Sequence, residues 1–309
     1  MNKIKALEDK IRSTLKSDET EGRFEIYFTR SFGYLWALFF RKLHVHPNVV
    51  TLLSAILGTA AGILFYYDNL RLNLLGMFLL IWANWYDCAD GQLARMTGQK
   101  TLLGRILDGF VGDIWFFVIY VSLSFRYQAT WGYSIWILAV AAGICHSKQC
   151  LLADYYRNIH LLFYKGREGS ELDSSTEQRK QMKSLSWKKE WFQKIYLYFY
   201  SNYVHSQEQL TPRFQQLRRL LIQKYGRCML PAEWQEKFRA ASRPLVRIAN
   251  IITFDTRVIF LFIVLALGKA WIYFLFEMTV LNILFFYMRY KHERLCRTIM
   301  NDLDTEKTL

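Results

Sequence analysis

Six apolar stretches of about 20 residues, nearly free of charge, constrain this chain more than any other feature. They run over 49–67, 72–90, 106–125, 131–152, 247–267 and 271–288. At about 1.5 Å per residue, a helix of roughly 20 residues crosses the hydrocarbon of a bilayer. A helix also satisfies its own backbone amides, which lipid cannot do. The pattern predicts an all-α integral membrane protein with six transmembrane helices.

Charge sets the orientation. The chain carries 40 Lys+Arg against 26 Asp+Glu, a formal net charge of +14. The segment before the first stretch, the 2–3 and 4–5 connections and the C-terminal tail hold 35 of the 40 basic residues when Arg247, at the edge of the fifth stretch, is counted with them. Each opposite loop holds one, namely Arg71, Arg126 and Lys269. The positive-inside rule then puts both termini in the cytoplasm, as an even number of spans requires. In such a protein the basic balance points to anionic lipid, not nucleic acid. Five cysteines without a CxxC pair suggest neither a disulfide framework nor a zinc site. The basic N-terminus lacks an apolar run, so no cleaved signal is expected.

The organisation predicted is a juxtamembrane segment over 1–46, spans 1–4 over 47–164, a polar insert over 165–244, spans 5–6 over 245–290 and a tail over 291–309. Ile4, Leu7, Ile11 and Leu15 recur at helical spacing among basic residues, which reads as an amphipathic helix on the membrane surface. The insert opens with GREGSELDSSTEQRK, a stretch of flexible composition. Two helical stripes follow, Trp187, Trp191, Ile195 and Tyr198, then Phe214, Leu217 and Leu221. Either they meet the headgroup zone or they pack on each other as a small cap, and the pattern fits both.

The chemistry lies where span 2 ends, in NWYDCADGQLARM, and span 3 begins, in GRILDGFVGDIW. Carboxylates at this depth are costly to hold without a task. Asp87, Asp90, Asp108 and Asp113 cluster at the cytoplasmic ends of consecutive spans, with only Arg95 and Arg105 near in sequence. Divalent cations would neutralise the excess, and oxygen donors without His or Cys suit Mg²⁺ or Mn²⁺. Asp87 and Asp90 are three apart and share a helix face. An antiparallel neighbour could set Asp108 opposite them, giving a site for two ions that clamps a pyrophosphate. Gly91 and Ala94 leave room near the backbone, and Arg95 could neutralise a phosphate oxygen.

This pattern resembles the CDP-alcohol phosphatidyltransferase family, whose signature reads D-x2-D-G-x2-A-R, about eight residues, then G-x3-D-x3-D. Asp87, Asp90, Gly91, Ala94, Arg95, Gly104 and Asp108 match seven of its eight fixed positions. Pro47, Asn48 and Thr51 are similar to the family's usual first-span start. The resemblance covers the six spans and not the insert. It implies that Asp87, Asp90 and Asp108 ligate two metal ions. Gly91 and Ala94 would admit the cytidine nucleotide, with Asn48, Thr51 and Gly104 beside it, and Arg95 would help hold its phosphates. An alcohol oxygen would then attack the phosphorus next to the leaving CMP. A homodimer is expected by analogy.

The eighth position departs, because Gly112 stands where the signature has its last Asp and Asp113 follows it. In the family that Asp is thought to deprotonate the alcohol. On a regular helix Asp113 lies about 100° further round than residue 112. A one-residue π-bulge at Gly109 and Gly112 would return it to the site as general base and metal ligand.

Lys148 and Arg257 fall within spans 4 and 5, where basic residues face a cavity or a partner. One reading pairs Arg257 with Asp255 and lets Lys148 reach the interface. The other makes both a pocket for a phosphorylated acceptor such as an inositol phosphate, and favours CDP-diacylglycerol as donor. A CDP-headgroup donor with a lipid alcohol acceptor stays open, as does a catalytically weak relative acting as a binding protein. A transporter would spread its carboxylates through the membrane, and here they gather at one face. His44 and His46 read as interfacial residues, and Glu277 and Asn282 as helix-packing groups.

Overall fold

The computed structural model describes residues 25–99 and 101–305, with 11, 14, 17 and 19–22 before them. The amphipathic helix expected over residues 4–15 lies outside the described residues except at Ile11 and Thr14. No strand occurs among those described. The chain forms two compact units, Met1–His146 with Asp255–Thr279, and Ser147–Phe254 with Val280–Leu309.

In the first unit a π-helical turn over Glu25–Arg30 leads into α1 (Ser31–Lys42), followed by α2 (Pro47–Leu64), α3 (Leu70–Thr97) and α4 (Leu102–Trp131). The first half of α5 (Ser134–Lys165), α10 (Phe254–Ala266) and α11 (Ile272–Met278) complete it. Small residues on α2 set the packing. A Cβ on Gly58 would stand 2.2 Å from the Trp115 indole, and one on Gly62 would stand 2.9 Å from Val118. Helices in lipid gain contact by such close backbone approach. Trp115 is only 2% exposed. Gly58→Ala should therefore force α4 away and cost about 1–3 kcal/mol, the usual range for overpacking. A drop in the thermal midpoint of the detergent-solubilised protein checks this, and an unchanged midpoint would refute the contact.

The juxtamembrane segment contains a helix that the sequence reading did not resolve. Tyr34, Ala37 and Phe40 of α1 are buried at three-residue spacing. On α3, Trp85 stacks on Phe32 at 4.5 Å between centroids, and Trp82 stacks on Trp36 at 5.7 Å.

The second unit holds the rest of α5, α6 (Ser175–Ser184), α7 (Trp187–Leu210), α8 (Pro212–Tyr225), α9 (Ala232–Ile251) and α12 (Val280–Thr305). The Phe214, Leu217 and Leu221 stripe of α8 is fully buried. Phe214 meets Tyr155 and His292, and Phe163 meets Phe238 at 4.6 Å. That stripe is internal packing. The opening of the insert, read as flexible from its composition, makes defined contacts at Ser170–Leu172. The Ser170 hydroxyl donates to the Asn158 carbonyl at 2.6 Å, the Glu171 amide donates to Asn158 Oδ1 at 3.2 Å, and Leu172 is buried. Side-chain polar groups bind its backbone in place of water.

Five helical stretches are long and apolar enough to cross a membrane: Pro47–Leu64, Leu107–Trp131, Ser134–Lys165, Ala232–Ala266 and Ile272–Leu303. The α3 helix falls short by that measure because Arg71, Asn73, Asn84, Asp87 and Asp90 interrupt its apolar run. Spans 5 and 6 are broken where the sequence reads as continuous. Helix α9 ends at Ile251 and α10 starts at Phe254, while Thr279 (φ −110°, ψ −77°) separates α11 from α12. In both breaks a Thr hydroxyl bonds a preceding carbonyl, Thr253 to Asn250 at 2.8 Å and Thr279 to Leu275 at 2.7 Å. Such back-bonding competes with the helical ladder and bends it.

Candidate metal centre

Three helix ends converge in the first unit. Helix α2 starts at Pro47, whose fixed φ suits the first helical position, and the His46 ring accepts from the Asn48 amide at 3.2 Å. Helix α3 stops at Gly98, which adopts the left-handed φ of 70° that a side chain resists. The turn then needs only a few residues before α4, capped by the Thr101 hydroxyl accepting from the Gly104 amide at 2.9 Å. The last turns of α3 thus lie beside the first turns of α4 and α2.

Asp87, Asp90 and Asp108 each offer a carboxylate oxygen, and these oxygens all lie within 4.8 Å of one another. Asp90 is the buried member at 3% exposure, and Asp108 is the exposed one. The Thr51 hydroxyl donates to Asp90 Oδ2 and so fixes its rotamer. Three like charges this close repel strongly at low dielectric unless a cation joins them. An all-oxygen donor set without His or Cys fits Mg²⁺ or Mn²⁺.

The remaining residues singled out from the sequence fall into two groups. Asn48, Thr51, Gly91, Ala94, Arg95 and Gly104 lie on the converging helix ends. Gly104 has a steric reason to be glycine, because a Cβ there would stand 2.7 Å from Asn48 Oδ1. The Arg95 guanidinium lies over Gly91, 3.4 Å from where a Cβ would be, and its Nε donates to the Thr14 carbonyl.

Asp113 and Arg257 stand apart from that group in the first unit, and Lys148 belongs to the second unit. Helix α4 runs as α-helix throughout, without the π-bulge that would turn Asp113 inward. Asp113 is about 140° round the helix from Asp108. It is outside the three-carboxylate group and interacts electrostatically with His146. Lys148 is exposed in the second unit. Arg257 is fully buried, and its Nη1 pairs with Glu277 and lies 2.9 Å from His146 Nδ1. Its partner is Glu277 on α11, which the sequence reading took for a packing group. A guanidinium neutralised in this way is a poor anchor for a phosphate.

The sequence reading also missed Arg30. It bridges Glu21 at 2.8 Å and Glu25 at 3.0 Å and lies within electrostatic reach of Asp87. Burial holds the Glu21 carboxyl above the usual carboxylate range, against the pull of Arg30. The Arg30 carbonyl accepts from Gln92 on α3 at 3.3 Å. The three-residue stripe of α1 was the available signal. It could show a buried face but not which helix that face would meet.

Residues 44–159 match the family model described as CDP-alcohol phosphatidyltransferase. A protein of Aquifex aeolicus (strain VF5), named only as uncharacterized, is 37% identical over 73 residues. That match covers 24% of this chain and 36% of the relative, so the chain spans about a third of the relative's length. No solved structure matches this chain.

Proposed function

We propose that this chain, whose residues 44–159 match the CDP-alcohol phosphatidyltransferase family model, transfers a substituted phosphate from a CDP-activated donor to an alcohol and releases CMP. The observation that carries this reading is the group of Asp87, Asp90 and Asp108, in signature register and with their oxygens within 4.8 Å of one another. It is the donor set that a pyrophosphate-binding pair of Mg²⁺ or Mn²⁺ ions requires. When bound, such ions would neutralise charge on the transferred phosphate and on the leaving CMP.

The chain's own residues do the rest. Asp90 is held by Thr51 and stays oriented through the reaction. Gly91 and Ala94 leave the surface of α3 low enough for the nucleotide, and Arg95 swings from Gly91 to its phosphates. The attacking hydroxyl forms a new O–P bond as the bond to CMP breaks. Asp108 is the exposed carboxylate of the three, and in this reading it takes the hydroxyl proton. In this reading α3 is the second of six spans, and both termini and the site face the cytoplasm.

CDP-diacylglycerol is the proposed donor and a small polar alcohol the acceptor. The pairing of Arg257 with Glu277 weakens the case for a phosphorylated acceptor and favours, as a second reading, a CDP-headgroup donor with a lipid alcohol. CMP release by the purified protein decides between them, with each donor tested against polar and lipid alcohols. Release should need Mg²⁺ or Mn²⁺, stop with a chelator and return when the metal is restored. No release from any pair would refute the transferase.

Asp113 faces away from the metal group, so Asp113→Asn should cost less than about tenfold in CMP release, below the 10²–10⁴ usual for a general base. A loss as deep as that of Asp90→Asn would mean that α4 bulges when substrates bind and that Asp113 is the base after all.

A further inference from the structure

The first aromatic stripe of the insert is exposed, unlike the buried stripe of α8. Trp187 is 62% exposed, Trp191 56% and Phe199 60%. Trp191, Phe192, Ile195, Tyr198 and Phe199 share one broad face of α7 beyond a kink at Glu190 (φ −130°, ψ 27°), and Trp187 is exposed just before that kink. Leu197, Ser201 and Val204 are buried on the opposite side, so α7 already has its protein contact and the aromatic face is additional. Water is a poor neighbour for a contiguous apolar patch of this kind.

Two anchors set the depth of this helix. Gln207 donates to the Leu151 carbonyl at 3.2 Å, and the Tyr203 hydroxyl donates to Asp154 at 3.3 Å. Leu151 and Asp154 lie within two turns of Lys148, the first charge of α5. Arg289 Nε donates to the Leu210 carbonyl at 2.9 Å, and Arg289 is the first charge after the apolar start of α12. The C-terminal turns of α7 are thus pinned near the first charged residues of α5 and α12. The charge around the patch is basic, since residues 175–199 hold six Lys and Arg against two Glu. Lys194 reaches back over the Trp187 ring and donates to the Leu185 carbonyl at 2.9 Å. Trp and Tyr beside Lys is the chemistry of the headgroup zone, and positive charge draws such a helix to anionic lipid.

We propose that α7 lies in the interface of the bilayer that the spans cross, with its aromatic face among the headgroups and its lysines on anionic lipid. This rests on the spans and not on the transferase activity. The full chain carrying Phe192→Cys would be labelled with bimane, with labelling of the parent subtracted. It would be placed in nanodiscs of phosphatidylcholine with phosphatidylglycerol. Quenching by a lipid nitroxide near the headgroup should exceed quenching by aqueous iodide several-fold. Adding Lys188→Gln and Lys189→Gln, or omitting phosphatidylglycerol, should shift that ratio several-fold toward iodide. Dominant iodide quenching in both lipids would overturn the proposal, as would protection that appears only with two copies per disc. A chain that washes out of the discs at alkaline pH would remove the spans and this proposal together. CMP release assayed in the same discs reports separately on the active site.

Discussion

Replacing Asp90 by Asn is expected to lower CMP release by about 10³-fold or more, roughly 4 kcal/mol of transition-state stabilisation, while leaving the fold intact. Asp90 is the buried centre of the carboxylate group and receives the Thr51 hydroxyl. Asn keeps the shape and can still accept that bond, so little packing is lost. What disappears is one negative charge from a set whose oxygens lie within 4.8 Å of one another. That charge is needed only to hold cations against the pyrophosphate. Without metal it repels Asp87 and Asp108, so the variant should melt at the same temperature as the parent or higher. The pairing of these two readouts makes the test specific. A structural carboxylate would lose stability and activity together. A metal-holding carboxylate loses activity alone, with weaker Mn²⁺ binding. Full turnover by Asp90→Asn would end the transferase proposal.

Arg257→Leu is expected to cost about 3–5 kcal/mol of stability, the range for breaking a buried ion pair by removing one partner. Arg257 and Glu277 are both 0% exposed, and the variant would leave a carboxylate with no counter-charge. His146 is 2.9 Å from Arg257 Nη1 and 3.7 Å from Glu277 Oε1, too few contacts to replace a guanidinium. Adding Glu277→Leu should recover most of the loss, because two apolar residues need no solvation. Thermal unfolding of the single and double variants in detergent gives the coupling directly. If the single variant melts like the parent and raises KM only for phosphorylated acceptors, Arg257 is a substrate anchor and not half of an ion pair.

Much of this protein is legible in its sequence, for reasons that act locally. Apolar runs of bilayer length declare themselves because lipid admits little else. The carboxylates of α3 and the Asp of α4 are close in sequence and joined by a short turn. Their meeting follows from helical spacing and the left-handed Gly98. Gly91, Ala94 and Arg95 share that register. The family match reaches residues 44–159, which hold those residues and the first four predicted spans; it covers neither the insert nor spans 5 and 6, which the resemblance was expected to include.

What the tertiary structure alone decided involves partners far apart in the chain. Arg257 finds Glu277, 20 residues further along the chain on α11. Arg30 approaches Asp87 through the packing of α1 on α3, a meeting that no spacing rule encodes. Asp113 faces away from Asp108 because α4 keeps its α-helical hydrogen bonds throughout, whereas the sequence alone allowed a bulge. The two aromatic stripes of the insert looked alike as patterns. One is buried, with Phe214 against Tyr155 and His292, and the other is left bare. Periodicity says that a helix has an apolar face, but only the assembled neighbours say whether protein covers it.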